Sequence, residues 1–207
     1  MLGACVAVTR HTVALWALYF YAILGAVGAG ISFALSEGRR GVLTTPSWVG
    51  LESGSGVLAS VVLGALLAAG TIALTPLLVG RFAWARDLHD TLRPVVHGAS
   101  SLQLAATAGL SGLAEELFFR GMLVQVAGLF VASLAFGVLH QVKGPGRWIW
   151  ASWATVMGLL FGAIFCLTGS LVGPILAHVA INAVNLRYLR DHAPRKRRHL
   201  GGLLGDA

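Results

Sequence analysis

The sequence predicts an all-α, polytopic transmembrane bundle of about six spanning helices plus one interfacial helix. Three observations carry this. Of 207 residues, 57% are hydrophobic and only 11% charged, whereas soluble domains carry about 25% charged residues. Several apolar blocks reach the roughly 20 residues that a helix needs to cross a bilayer. The basic residues sit at the ends of those blocks and in the tail, which is the membrane pattern. That placement also answers the net charge of +7, which by itself could suggest nucleic acid: the charges mark membrane borders. No stretch is long enough for a separate soluble domain.

Six apolar segments read as spans: 13–35, 57–79, 101–126, 129–140, 148–168 and 171–186. The first is too long for a signal-peptide core and is expected to stay as a helix. Before the second, Gly54 and Gly56 lie in an SGSG run that reads as a flexible turn; as a phosphate loop it lacks the Lys. Between the second and third lies RFAWARDLHDTLRPVV. Trp84, Leu88 and Leu92 fall on one face with Arg81, Arg86, Asp87 and Asp90 elsewhere, which predicts an interfacial helix ended by Pro94. On the fifth span Ala154, Gly158 and Gly162 recur every four residues, a spacing that lets helix backbones pack closely within the bundle.

With the N-terminus inside, twelve of the fifteen Lys and Arg residues fall on the inner side. The excess of positive charge inside then puts both termini in the cytoplasm, as expected of a bacterial inner-membrane protein. The tail run PRKRRH is a topology anchor facing anionic lipid. It has no interleaved aromatics, so it does not read as a nucleic-acid site. Cys5 and Cys166 give neither a metal spacing nor a disulfide framework. Leu2-Gly3-Ala4-Cys5 looks like a lipoprotein box but lacks the charged and apolar regions that precede one.

The informative feature is polar. Glu115, Glu116, Arg120, His140, His178 and Asn182 all occupy apolar segments. An ionisable residue at the centre of a membrane helix costs roughly 2.5–3.5 kcal/mol, so such residues are rare and functional by default. Glu116 and Arg120 are four apart, share a helix face and can neutralise each other. Glu115 points about 100° away, on the face of Ser111 and beside Gly112, and is the free acid. Phe136 and His140 share one face of the fourth span; His178 and Asn182 share one face of the sixth, a turn after Pro174. At 1.5 Å per residue, Glu115 lies about 16 Å from the end of its span, His140 roughly 16 Å from the start of the next, and His178 about 10 Å into the last. Three helices therefore bring polar groups to a similar depth.

A carboxylate and an imidazole on separate helices can together take a proton from water. A second imidazole with a neighbouring amide can donate hydrogen bonds to a developing oxyanion, worth roughly 3–4 kcal/mol per donor. That set suits amide hydrolysis. Glu115, His140 and His178 could equally hold zinc with a fourth position open to water; metal-bound and metal-free water both stay open. There is no HExxH helix and no nucleotide loop.

At these residues the chain resembles the CPBP family, which includes the type II CAAX prenyl endopeptidases and the bacterial Abi intramembrane proteases. The resemblance rests on EExxxR in AEELFFRG, FxxxH in FGVLH and HxxxN in AHVAIN. The three come in the family's order, over about a third of the chain. The resemblance implies that Glu115 and His140 activate water, that His178 and Asn182 form the oxyanion site, and that Glu116 and Arg120 support them. It implies a membrane-associated protein or peptide as substrate. The chain then divides into a transmembrane hairpin and interfacial segment (1–100), a catalytic core (101–186) and a basic tail (187–207). The N-terminal helices carry no family pattern, and six spans are fewer than the eukaryotic members have.

Three other readings compete. Gly109-Leu110-Ser111-Gly112 matches the GxSG of rhomboid proteases, with Ser111 as nucleophile and His178 as its base; it leaves the acids and His140 unused. A non-catalytic scaffold or substrate chaperone would keep the fold without turnover, yet the motif residues are complete. A transporter with the acids as a proton relay would be expected to show internal repeats, and none is visible.

Overall fold

A computed structural model describes residues 2–36, 42–144 and 146–193, with side chains from residue 19 onward. The side chains of the Cys5 box and Arg10, and residues Arg39, Arg40 and the tail run from residue 194, therefore lie outside what is described below.

Among the described residues the regular structure is helical, joined by short irregular links such as 42–52, with one isolated bridge between Thr44 and Ser170. In order they form α1 (Leu2–Leu35), α2 (Ser53–Arg81), α3 (Ala83–Val96), α4 (Ser101–Glu115), a π-helical segment (Glu116–Leu123), α5 (Val124–Leu139), α6 (Arg147–Thr168) and α7 (Val172–Asp191). By length and apolarity three described helices qualify as membrane spans: Ser53–Arg81, Ser101–Leu139 and Arg147–Thr168. The described apolar part of α1, Tyr19–Leu35, is shorter. In α7 the polar His178, Asn182 and Asn185 dilute the apolar character. Six spans are expected from the sequence. The 101–139 stretch, divided there in two between 126 and 129, is broken at that place and folds back on itself. The fold-back centres on Gly128, whose φ of 84° and ψ of 165° break the helix. A straight helix would hold residues 115 and 140 about 37 Å apart, whereas their side chains meet.

Local chemistry explains the other boundaries. Ser100 caps α4 by accepting from the Gln103 amide at 3.2 Å, while Gln103 accepts from the Ser100 amide at 2.8 Å, a complete capping box. Pro174 stands in the first turn of α7, where its missing N–H is no loss. Two sequence expectations are corrected. The SGSG run is not a turn: α2 begins at Ser53, so the run forms its first helical turn. Pro94 does not end α3, which continues to Val96.

Among the described residues the usual order of a soluble protein is inverted. Large apolar side chains such as Leu58, Leu66, Leu77, Phe130 and Leu139 face outward, and Glu116, Arg120, Glu115 and His178 are buried. With lipid outside, helix association depends on close backbone packing and interhelical hydrogen bonds. Gly56, Ser60, Gly64 and Ala68 form a buried stripe of small residues along α2. It meets α7, where Ser60 Oγ donates to the Ser170 carbonyl at 2.9 Å and accepts from the Gly173 amide at 3.0 Å. On α6, Ala154, Gly158 and Gly162 are buried as expected, and a side chain at Gly158 would come within 3.1 Å of Ser133 on α5. Beyond the bundle, residues 43–48 are laced to the α6–α7 turn, with the amides of Thr45, Trp48 and Leu171 each donating across at 2.9 Å.

The helix α3 forms where the charge pattern predicts it, with its apolar face turned by one residue. Ala85, His89 and Val96 are buried, whereas Trp84 is exposed and stacks on Phe82. Small Ala85 lets α3 approach the bundle, and the aromatic pair is left where interfacial anchors sit. His89 Nε2 bonds the His192 carbonyl at 2.8 Å, tying α3 to the end of α7.

The α2–α7 seam yields a stability prediction. A Cβ at Gly64 would lie 2.5 Å from the Gly173 carbonyl oxygen, while one at Gly70 meets nothing within 4 Å. Gly64→Ala is expected to lower the unfolding temperature of the detergent-solubilised protein, by roughly 1–3 kcal/mol of overpacking. Gly70→Ala should be neutral or stabilising by up to about 1 kcal/mol. Equal behaviour of the two would contradict the packing described.

Candidate active site

Glu115 closes α4 and Glu116 opens the π segment. Single-turn π segments are rare and concentrate at functional sites. Glu116 is fully buried. Its Oε1 accepts from Arg120 Nη1 at 2.9 Å and bonds His178 Nδ1 at 2.8 Å. The pair expected from the spacing is thus present, and it has a third member that spacing alone does not show. Glu115, equally buried, faces the other way. Its Oε2 stands 3.5 Å from His140 Nε2 and 3.8 Å from His178 Nε2, with no hydrogen-bond partner among the described residues.

The backbone and Glu116 set the tautomers. His140 Nδ1 is 2.7 Å from the Phe136 carbonyl, and His178 Nδ1 bonds a carboxylate. Both partners can only accept, so each Nδ1 carries the proton and each Nε2 is left facing Glu115. The two imidazoles differ in exposure: the His140 side chain is 27% accessible and that of His178 8%. His140, at the end of α5, is thus the ring nearer the surface.

Arg120 is buried in aromatic rings. Its guanidinium carbon lies 4.4 Å from the centroid of Phe136, 5.3 Å from Phe161 and 5.9 Å from Phe119, and Nη2 donates to the Gly158 carbonyl at 3.4 Å. Ring quadrupoles and one carboxylate together replace the water a buried cation loses. Phe136 also packs on His140 at 4.2 Å between centroids, and Phe161 stacks on His178 at 5.0 Å.

Asn182, expected beside His178, is oriented from another helix: its Nδ2 donates to Ser111 Oγ at 3.2 Å. Glu115, Glu116, Arg120, His140 and His178 therefore fall in one connected cluster, and the Asn182–Ser111 bond lies one helical turn from His178 and from Glu115. A further residue, Tyr21 on α1, brings its hydroxyl close enough to feel the Glu115 carboxylate. Gly25 lets α1 approach Ala114, and Ser32 accepts from Gln125 at 3.2 Å. Tyr21, Gly25, Gly28 and Ser32 fall on one face of an otherwise apolar helix, a small-and-polar stripe that was open to reading.

With the geometry in view, comparison with known proteins is direct. Residues 97–184 match the family model described as type II CAAX prenyl endopeptidase Rce1-like. This segment is similar to that family. It contains Glu115, Glu116, Arg120, His140, His178 and Asn182, and leaves α1 to α3 outside. The chain is also similar to the Uncharacterized protein YpbD of Bacillus subtilis (strain 168), 36% identical over 90 residues, which cover 44% of this chain and 47% of that protein. The match thus spans about half the length of that relative. No solved structure shows a significant match. Together with its long apolar helices, the Rce1-like segment marks an integral membrane protein.

Removing one partner of a buried ion pair strands the other charge, at roughly 3–5 kcal/mol. Arg120→Met should therefore destabilise the Rce1-like core strongly, and adding Glu116→Gln should restore part of the loss. Chemical denaturation in detergent measures both; a double variant no better than Arg120→Met would contradict the pairing.

Proposed function

We propose that the protein is an intramembrane endopeptidase that hydrolyses a peptide bond of a membrane-associated protein or peptide. The observation that carries this is the convergence of the unpartnered Glu115 oxygen and two Nε2 atoms in a buried pocket. In this reading Glu115 and His140 take a proton from water as it attacks the substrate carbonyl, and return it to the leaving amine. His178 Nε2 and the second hydrogen of the Asn182 amide donate to the oxyanion. Glu116 orients His178 through Nδ1.

Metal-bound water is a second way to the same attack. Glu115, His140 and His178 would hold the zinc, which would supply Lewis acidity. Their outer partners suit this, since metal-ligating histidines usually donate the other N–H to a carboxylate or carbonyl. As placed, however, no three His, Cys, Asp or Glu among the described residues have the spacing to hold an ion, so no step above runs through one. Serine chemistry is less well supported: Ser111 is engaged with Asn182, and His178 with Glu116. The excess of basic residues on the α3 side supports cytoplasmic termini in a bacterial inner membrane.

The test uses purified protein and a library of membrane-tethered peptides. Glu115→Gln and His140→Ala are each expected to lower cleavage by about 10²-fold or more, while Ser111→Ala keeps the larger part. Cleavage by Glu115→Gln equal to wild type would overturn the proposal, and loss of activity in Ser111→Ala alone would favour the serine reading. Sensitivity to a chelator, reversed by zinc, would assign the water to a metal.

A further inference from the structure

We propose that Phe161, outside the three motifs, is a positioning residue that sets the plane of the His178 imidazole. A hydrogen bond from Nδ1 to Glu116 at 2.8 Å fixes one corner of the ring and leaves its plane to rock about Cβ–Cγ within that bond's angular tolerance. Turning would swing Nε2 away from Glu115. Phe161 removes that freedom: its ring lies 5.0 Å from the imidazole at an interplanar angle of 14°, a parallel stack. Phe136 closes the edge at 6.1 Å and 76°. Phe161 is itself held, 2% exposed, with the Arg120 guanidinium over its ring. Arg120, Glu116, His178 and Phe161 thus form a closed circuit in which each member fixes the next. An aliphatic side chain at 161 would fill the volume and leave the imidazole plane unset.

The same helix supplies a control. Phe165 is one turn further along α6, also 2% exposed, and packs with Val124, Ala132, Cys166 and Leu171. Among the described residues it has no ring contact with either imidazole.

The experiment uses the full chain in detergent with ring-labelled histidine, the His178 signals being identified by their loss in His178→Gln. In Phe161→Leu the His178 ring protons should lose the shielding of the stacked ring, shift downfield and broaden. Phe161→Tyr and Phe165→Leu should leave them in place. Should Phe161→Leu fail to fold, Phe161→Met carries the same expectation, since it fills the gap with a flexible chain. The kinetic arm rests on the peptidase reading: kcat in Phe161→Leu should fall roughly 10²-fold, as small misplacements do, with KM little changed and recovery in Phe161→Tyr. His178 signals unmoved by Phe161→Leu, or moved equally by Phe165→Leu, would overturn the proposal. If wild type cleaves no peptide, the peptidase reading falls and the resonance arm still decides Phe161.

Discussion

The Glu116 carboxylate, held between Arg120 and His178, is the interaction on which the rest of the site depends. A lone charge in the middle of this bundle would be too costly to keep, and the pair with Arg120 makes it tolerable. The third bond, to His178 Nδ1, turns a helix clamp into an orienting device, because it fixes which nitrogen of the imidazole faces Glu115. Arg120 needs its own compensation, and receives it from Gly158 and three phenylalanine rings. Those rings in turn wall the imidazoles. Stability and chemistry are therefore served by the same side chains, so losses at Arg120 or Phe136 would be felt in both.

Around this polar centre the bundle uses membrane rules. Its exterior is apolar, and its helices meet through small residues and a few interhelical hydrogen bonds, as where Ser60 joins α2 to α7. The two architectural choices are linked. Tight packing of α2 on α7 and of α5 on α6 fixes the backbones that carry His178 and His140, so that each imidazole needs only one hydrogen bond and one ring to be aimed. The fold-back at Gly128 brings the end of α5 to the turn of Glu115.

Much of this was legible in the sequence because membrane-buried charge is so conspicuous. The Glu116–Arg120 pair, the free Glu115, the depths of His140 and His178 and the all-helical class followed from spacing and hydropathy. What was not legible depends on how helices face one another. No helix-periodicity argument could pair His178 with Glu116 or Asn182 with Ser111, since the partners are 62 and 71 positions apart. The π segment was also hidden, because a pair four apart reads as ordinary α-helix. The buried face of α3 was misplaced by one residue because Trp84 was counted as apolar, when an amphipathic ring suits the interface better than the core. Tyr21 lies on a helix that carries none of the three motifs, and its stripe of Gly25, Gly28 and Ser32 is the one sign of it in the sequence.

The central claim is spatial: the Glu115 carboxylate and the Nε2 atoms of His140 and His178 share one pocket. Dipolar-recoupling solid-state NMR in lipid, on protein labelled at glutamate carboxyl carbons and histidine ring nitrogens, measures this directly. The account predicts that the Glu115 carbon couples to both Nε2 sites, as contacts of 3.5 and 3.8 Å require, with both couplings absent in Glu115→Gln. A Glu115 carbon coupled to neither imidazole, in protein whose Glu116–His178 coupling is intact, would contradict it.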